Sequence, residues 1–288
     1  MRILRTITEL RDALDSARAS GRAVGAVPTM GALHDGHASL IDRAAAGADE
    51  VVVTVFVNPL QFAAHEDLDV YPRDLDGDAA LAAEHGATAV FAPSELEMYP
   101  EGRDGVLTTV AVPSLSGSLE GAARPTHFDG VCTVVAKLFN VVGPCSAYFG
   151  EKDFQQLTII RRMVRDLSFP VDVVACPTVR ESDGVAMSSR NAYLSPSERA
   201  EAPVLHRALL AGATAYAGGE RSAERLRSAM TDVIAESSIA VLDYAEVVDS
   251  ITLEPGAVGD TSRLVVAARF GSTRLLDNVS VLDPGGST

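Results

Sequence analysis

The run "VVVTVFV" at residues 51–57 passes through its whole length without the polar–apolar alternation of a half-exposed strand. A strand of this kind has to be covered on both faces, and a parallel sheet flanked by helices is the architecture that does so. "AVGAV" (23–27), "TAVFAP" (88–93), "AYFG" (147–150) and "VDVVAC" (171–176) share its character. Helical segments are expected between these strands, notably 131–142 and 153–167. Another precedes them, where Ile7, Leu10, Leu14 and Ala17 mark one buried face behind a Thr6–Glu9 capping box. This alternation predicts an α/β fold over residues 1–178, a doubly wound, Rossmann-like parallel sheet.

The pattern changes after about residue 178. "SPSE" (195–198) is a second capping box with Pro196 at the first helical position, opening a helix expected to reach about 217. "GGE" breaks it, and another helix is expected to about 236. Three β-like runs follow at 241–248, 263–270 and 274–281. Residues 179–288 therefore read as a smaller α+β domain.

Charge narrows the possible partners. The formal net charge is −15, with 24 Lys and Arg against 39 Asp and Glu. A polyanion needs a basic footprint, so the balance disfavours nucleic acid as a partner, although one small basic pocket for a phosphate-bearing ligand remains open. No apolar run approaches the ~20 residues of a membrane helix, and the amino terminus lacks the form of a signal peptide. Three cysteines without a C-x-x-C pair suit a reducing cytoplasm rather than a disulfide frame or a zinc site.

The chemistry concentrates in a few polar clusters that follow strands. "PTMGALHDGH" places His34 and His37 between a strand and a helix, at the carboxyl edge where open α/β sheets bind ligands. A helix N-terminus there offers amides and partial positive charge to a phosphate, and the imidazoles can donate to its oxygens. An isolated H-x-x-H is more often a pair of capping or surface histidines. "FVNPLQF" leaves Asn58 and Gln61 just past the most apolar strand. "GEKDFQQL" (150–157) sets Lys152, Gln155 and Gln156 after another strand, with Lys152 as a point charge within reach of phosphate. "VAMSSRN" (185–191) could wrap phosphates with hydroxyls, amides and a guanidinium, or serve as a linker. "RPTHFDGV" carries Arg124 and His127 ahead of a helix.

Together these residues resemble a known family. "PTMGALHDGH" resembles the H-x-G-H signature of the nucleotidyltransferase superfamily, and "MSSR" stands where related enzymes carry a flexible K-M-S-K-S loop. "VPTMGALHDGH", "FVNPLQF", "YPRD", "RPTHFDGV", "YFGEKDFQQL", "VRESDGVAMSSRN" and "RLLDN", in order along nearly the whole chain, resemble the pantothenate synthetase (pantoate–β-alanine ligase) family.

The resemblance implies an ATP-dependent condensation of pantoate with β-alanine through pantoyl adenylate, releasing pyrophosphate and then AMP. It implies that Met30, Gly31, Ala32, Leu33, His34, Asp35, Gly36 and His37 line the ATP site. His34 and His37 would meet the phosphates, with His37 as proton donor. Gly150, Glu151, Lys152 and Asp153 would meet the nucleotide, with Lys152 at the phosphates and Asp153 near the ribose. Val179 would contact adenine, and Met187, Ser188, Ser189 and Arg190 would close over the triphosphate. Gln61 and Gln156 would hold pantoate with Asn58 in support, under a flap at 63–75. The roles of Arg124 and His127 stay open.

The resemblance further implies Mg²⁺ accompanying ATP, a cytoplasmic homodimer, and a carboxy-terminal lid domain. Gly77 interrupts the acidic run "DLDGDAAL" (74–81), so a magnesium contact there would fall to Asp76 or Asp78, with Asp78 reaching at most through water. Two other readings remain. One is another H-x-G-H nucleotidyltransferase, which Gln61, Gln156 and the long second domain oppose. The other is a non-catalytic nucleotide-binding regulator, which the presence of His34, His37 and Lys152 opposes.

Overall fold

The computed structural model describes residues 1–63, 68, 71–256 and 258–284. The chain divides into two compact units, Met1–Glu151 with Gln155–Cys176, and Lys152–Phe154 with Pro177–Thr288.

Among the described residues the first unit holds six parallel strands: β1 (Arg2–Leu4), β2 (Val24–Thr29), β3 (Glu50–Val55), β4 (Ala89–Phe91), β5 (Cys145–Gly150) and β6 (Val171–Cys176). Their order is β1-β4-β3-β2-β5-β6. Val51, Val52 and Val53 are all buried, as the unbroken apolar run requires, because successive side chains of β3 enter opposite faces. Val27, Val51, Val53 and Val90 pack with Ile41 and Ala44 of the helix Asp35–Ala45 and with Ala79 and Ala82 of the helix Leu75–Glu84. The helices Ile7–Ala19 and His127–Val142 contact each other and β2. The strand order reverses between β2 and β5. That reversal is the switch point where a doubly wound sheet opens a crevice at its carboxyl edge.

The helix Ile7–Ala19 starts at the expected Thr6–Glu9 capping box, and Leu10, Leu14 and Ala17 form its buried face. β1 departs from the reading of the amino terminus as helix alone. Arg2, Ile3 and Leu4 pair in parallel with Ala89, Val90 and Phe91. Three residues are too few to show a period, so only the partner strand defines them.

In the second unit, Ser195 caps the helix Pro196–Glu201 with the expected box. The single helix expected to run to about 217 is instead two, with the second at Val204–Ala217. Pro203 explains the break, since a proline inside a helix lacks the N–H and crowds the carbonyl one turn back. The helix Ala223–Ile234 follows. β7 (Ala240–Asp249), β8 (Ser262–Phe270) and β9 (Thr273–Ser280) then form an antiparallel sheet in that order. Leu209, Leu226, Met230, Leu264, Val266 and Phe270 are among its fully buried core residues. No described helix is long and apolar enough to cross a membrane.

Candidate active site

In the first unit, β2 ends at Thr29, whose hydroxyl donates to the Thr54 carbonyl at 2.6 Å and accepts the Gly31 N–H at 3.1 Å. The chain then turns through left-handed conformations at Gly31 (φ 85°) and Ala32 (φ 51°). A side chain at Gly31 would place its Cβ 2.8 Å from Asp78 Oδ2 and 3.0 Å from Val55 Cγ1, so glycine is required there for space as well as for φ. Asp78, only 5% exposed, accepts the Ala32 N–H at 3.1 Å and the Leu33 N–H at 2.7 Å.

The turn delivers His34 to the N-cap of the helix Asp35–Ala45. There its Nδ1 accepts the Gly36 N–H at 3.1 Å, and His37 Nδ1 accepts the His34 N–H at 3.4 Å. The two rings lie 4.2 Å apart between centroids, tilted by 45°. A ring nitrogen that accepts a main-chain N–H carries no proton, so in each neutral imidazole the proton sits on Nε2. Capping and chemistry coexist: Nδ1 caps, and Nε2 is a donor.

Past β3, Asn58 is 1% exposed and Gln61 is 9% exposed, at the two ends of a short turn containing Pro59–Gln61. Asn58 has all its amide positions filled from within the protein. Asn58, expected in support of Gln61, hydrogen-bonds the Gln61 side chain directly. His127 Nδ1 lies 2.9 Å from the Gln61 carbonyl, His127 Nε2 lies 3.1 Å from Arg124 Nη1, and Arg124 Nη2 donates to the same carbonyl at 3.4 Å. Because guanidinium only donates, His127 Nε2 accepts and Nδ1–H donates, which assigns Arg124 and His127 to holding the Gln61 main chain. Residues 64–67, 69 and 70 of the expected flap lie outside the described residues.

The two glutamines after β5 separate in role. Gln155 is buried, takes the Glu120 N–H at 3.0 Å, and donates to the Leu115 and Ser118 carbonyls, both at 2.9 Å. It ties a loop. Gln156 is half-buried and makes no side-chain hydrogen bond among the described residues.

In the second unit, Lys152, Ser188, Arg190, Asn191, His206 and Arg274 help line a cavity of about 30 Å³. Met187 N–H donates to the Val179 carbonyl at 2.9 Å, so the two residues expected on the nucleotide sit on one small ladder. Ser188 Oγ accepts the Arg190 N–H at 3.3 Å as the cap of a short 3₁₀ turn, Ser189–Tyr193. Arg180 grips the buried Asp277 carboxylate at 2.6 and 3.0 Å and donates to the Gly184 carbonyl at 3.0 Å. Asn278 Nδ2 donates to the Lys152 carbonyl at 2.8 Å while its Oδ1 takes Arg263 Nε at 2.7 Å.

Arg180, Arg263, Asp277 and Asn278 received no role from the sequence. The adjacent polar pair flanked by apolar residues in β9, "LLDNV" (275–279), was the available signal. Both Asp277 and Asn278 are buried there, at 4% and 3% exposure.

Asp78 is buried and each of its oxygens accepts a main-chain amide, and no group of three His, Cys, Asp or Glu side chains among the described residues is placed to hold an ion. The side chain expected to reach magnesium through water clamps the loop at Ala32 and Leu33. Burial pushes the Cys132 and Cys145 thiols up to about 12, so neither is a nucleophile near neutrality.

A family model described as pantoate-beta-alanine ligase matches residues 2–280. The chain belongs to that family. The pantothenate synthetase of Rubrobacter xylanophilus is 51% identical over 285 residues, covering 97% of this chain and 98% of that one. The pantothenate synthetase of Pseudomonas entomophila is 51% identical over 282 residues, covering 97% of each. Among solved structures, pantothenate synthetase from Thermus thermophilus superposes with a TM-score of 0.91 at 50% identity, covering 98% of this chain and 99% of that one. Pantoate-beta-alanine ligase from Francisella tularensis, complexed with beta-gamma ATP and beta-alanine, has a TM-score of 0.79 at 32% identity over 98% of each chain. This pantoate–β-alanine ligase family member thus has the fold of its relatives over nearly its full length.

Proposed function

We propose that the chain joins pantoate to β-alanine in two steps driven by ATP. A pantoate carboxylate oxygen attacks the α-phosphorus, the bond to the β-phosphate oxygen breaks, and pyrophosphate leaves. The β-alanine amine then attacks the acyl carbon, the carbon–oxygen bond to AMP breaks, and the amine gives up a proton as the amide forms. Activation is needed because a bare carboxylate is a poor acyl donor. The mixed anhydride must also be kept from water until the amine arrives.

One observation carries the proposal: His34 and His37 turn their Nδ1 atoms to the main chain, which makes Nε2 a fixed donor in each ring. Two preorganised donors at a helix N-terminus suit an α-phosphate that gains charge in the transition state, with His37 Nε2–H donating its hydrogen bond there. Met30, Gly31, Ala32, Leu33, Asp35 and Gly36 supply the turn around them, and Gly150 and Glu151 the neighbouring strand end. Lys152 neutralises phosphate charge, Asp153 meets the ribose, Val179 meets adenine, and Met187, Ser188, Ser189 and Arg190 cover the triphosphate. Gln61 and Gln156 hold pantoate.

Mg²⁺ accompanying ATP would neutralise phosphate charge, and among the described residues no cluster is placed to hold the ion in the absence of nucleotide. Residues 1–178 are the catalytic domain and 179–288 its lid, in a cytoplasmic homodimer. The experiment is AMP release with ATP, pantoate and β-alanine, omitting each in turn, together with ATP–pyrophosphate exchange. Pantoate alone supports exchange, and a strict need for β-alanine in exchange rules out the two-step order.

A further inference from the structure

Tyr99 is 3% exposed, and its hydroxyl lies 2.8 Å from Asn58 Oδ1. The two ends of the Asn58 amide are identified by their other partners. Oδ1 also faces the Leu60 main-chain N–H at 3.3 Å, which only donates. Nδ2 also faces the Gly130 carbonyl at 3.1 Å, which only accepts. An amide whose ends meet an obligate donor and an obligate acceptor has one orientation. The rest follows in order. Tyr99 donates to Asn58, and Asn58 Nδ2 donates to Gln61 Oε1 at 3.1 Å, which turns the Gln61 oxygen toward Asn58. The opposite end, Gln61 Nε2, donates one N–H to the sulfur of Met30 at 3.1 Å, at the residue that opens the H-x-G-H turn, and keeps a second N–H.

We propose that Tyr99 is a positioning residue that acts through Asn58 to hold the Gln61 amide with its N–H end toward the substrate. The subsite then offers a donor at this point and selects an acceptor oxygen of the hydroxy acid. The inference rests on the reading of Gln61 as a pantoate residue and adds the polarity of that contact and its source.

Tyr99 is built for such a role. Its ring packs edge-on against Phe56 at 5.9 Å, and the Lys137 ammonium lies 5.8 Å from the ring centroid, so the hydroxyl has a defined direction. Burial first, and the Glu95 carboxylate second, push its pKa far above the ordinary tyrosine range, which keeps the proton in place. The link from Asn58 to helix His127–Val142 is equally defined. A Cβ at Gly130 would lie 2.3 Å from the Leu60 carbonyl oxygen, so glycine alone allows the turn to sit this close to the helix.

The test is a double-mutant cycle of Tyr99→Phe with Gln61→Ala, read as steady-state KM for pantoate and for ATP. Tyr99→Phe keeps the ring and removes only the donor. The expected result is a rise of roughly 3–10-fold in pantoate KM, the scale of one buried hydrogen bond. ATP KM stays close to wild type, the melting temperature falls by only a few degrees as loss of one buried hydrogen bond requires, and Tyr99→Phe has no further effect on pantoate KM once Gln61 is alanine. Unchanged pantoate KM in Tyr99→Phe, or an undiminished effect in the Gln61→Ala background, overturns the inference while pantoate-dependent AMP release by the wild type leaves the ligase reading standing. Absence of that release overturns both. A second readout needs no variant: the side-chain N–H resonances of Gln61 shift when pantoate is added to the wild type. Resonances that stay in place overturn the donor assignment.

Discussion

Asp78 and Leu33 are joined by a 2.7 Å hydrogen bond from the Leu33 main-chain N–H to Oδ1, and Oδ2 takes the neighbouring Ala32 N–H at 3.1 Å. A side chain in the first turns of one helix thereby sets the path of the turn that delivers the two histidines. Desolvation raises the Asp78 pKa, and the two amide bonds oppose that rise. Asp78→Asn keeps one acceptor and sets an NH₂ group against the second amide. Turnover should fall about tenfold, the scale of one charge-assisted hydrogen bond. Steady-state kinetics check this, and Mn²⁺ titration of the nucleotide-free protein should show no tight stoichiometric binding.

His37→Ala and Lys152→Ala should each lower kcat by roughly 10²–10³, as loss of one preorganised donor to a charged transition state does. Neither side chain is a core residue, so circular dichroism and melting temperature should stay near wild type. Normal turnover in either variant counts against its assignment.

Gly130→Ala should destabilise the protein by about 1–3 kcal/mol, the usual cost of forcing a methyl group into a packed interior. The methyl would meet the Leu60 carbonyl oxygen at 2.3 Å and the Gln61 Cα at 2.6 Å. Urea denaturation reads the loss. The variant that still folds should also show a raised pantoate KM, because Gln61 moves with the turn.

His206 gives the second unit a pH dependence. Burial lowers its pKa from the ordinary 6.5, with Arg180 adding to the shift while Asp277 and Asp283 oppose it. Its Nε2 is buried without a partner among the described residues. The unfolded chain takes up the proton first as pH falls, so this part of the stability is present above 6.5. It is lost as pH drops from 6.5 toward the lower folded value. Denaturation midpoints on either side of that pH should therefore differ less in His206→Leu than in the wild type.

The glutamines after β5 show where sequence reading stopped. Gln155 and Gln156 are chemically identical and adjacent, yet the first ties Glu120, Leu115 and Ser118 together and the second does not. Only the direction of the helix that follows Asp153 separates them. Asn58 was legible as a polar residue after a buried strand, but its four partners come from Leu60, Gln61, Tyr99 and Gly130, up to 72 positions away. Asp277 and Asn278 were visible only as a motif without a task.

Elements with a local cause are legible from the residues alone. The apolar run of β3, the boxes at Thr6 and Ser195, and the strand–turn–helix around His34 and His37 depend on periodicity, side-chain capping and chain direction within a few residues. Tertiary structure alone decided which polar atoms face each other. It set Asp78 as a clamp on the Ala32 and Leu33 amides, placed Arg124 and His127 behind Gln61, and gave the Asn58 amide its orientation. A hydrogen bond depends on distances of tenths of an ångström between groups far apart in the chain. Those distances exist only once the strands have paired and the helices have packed.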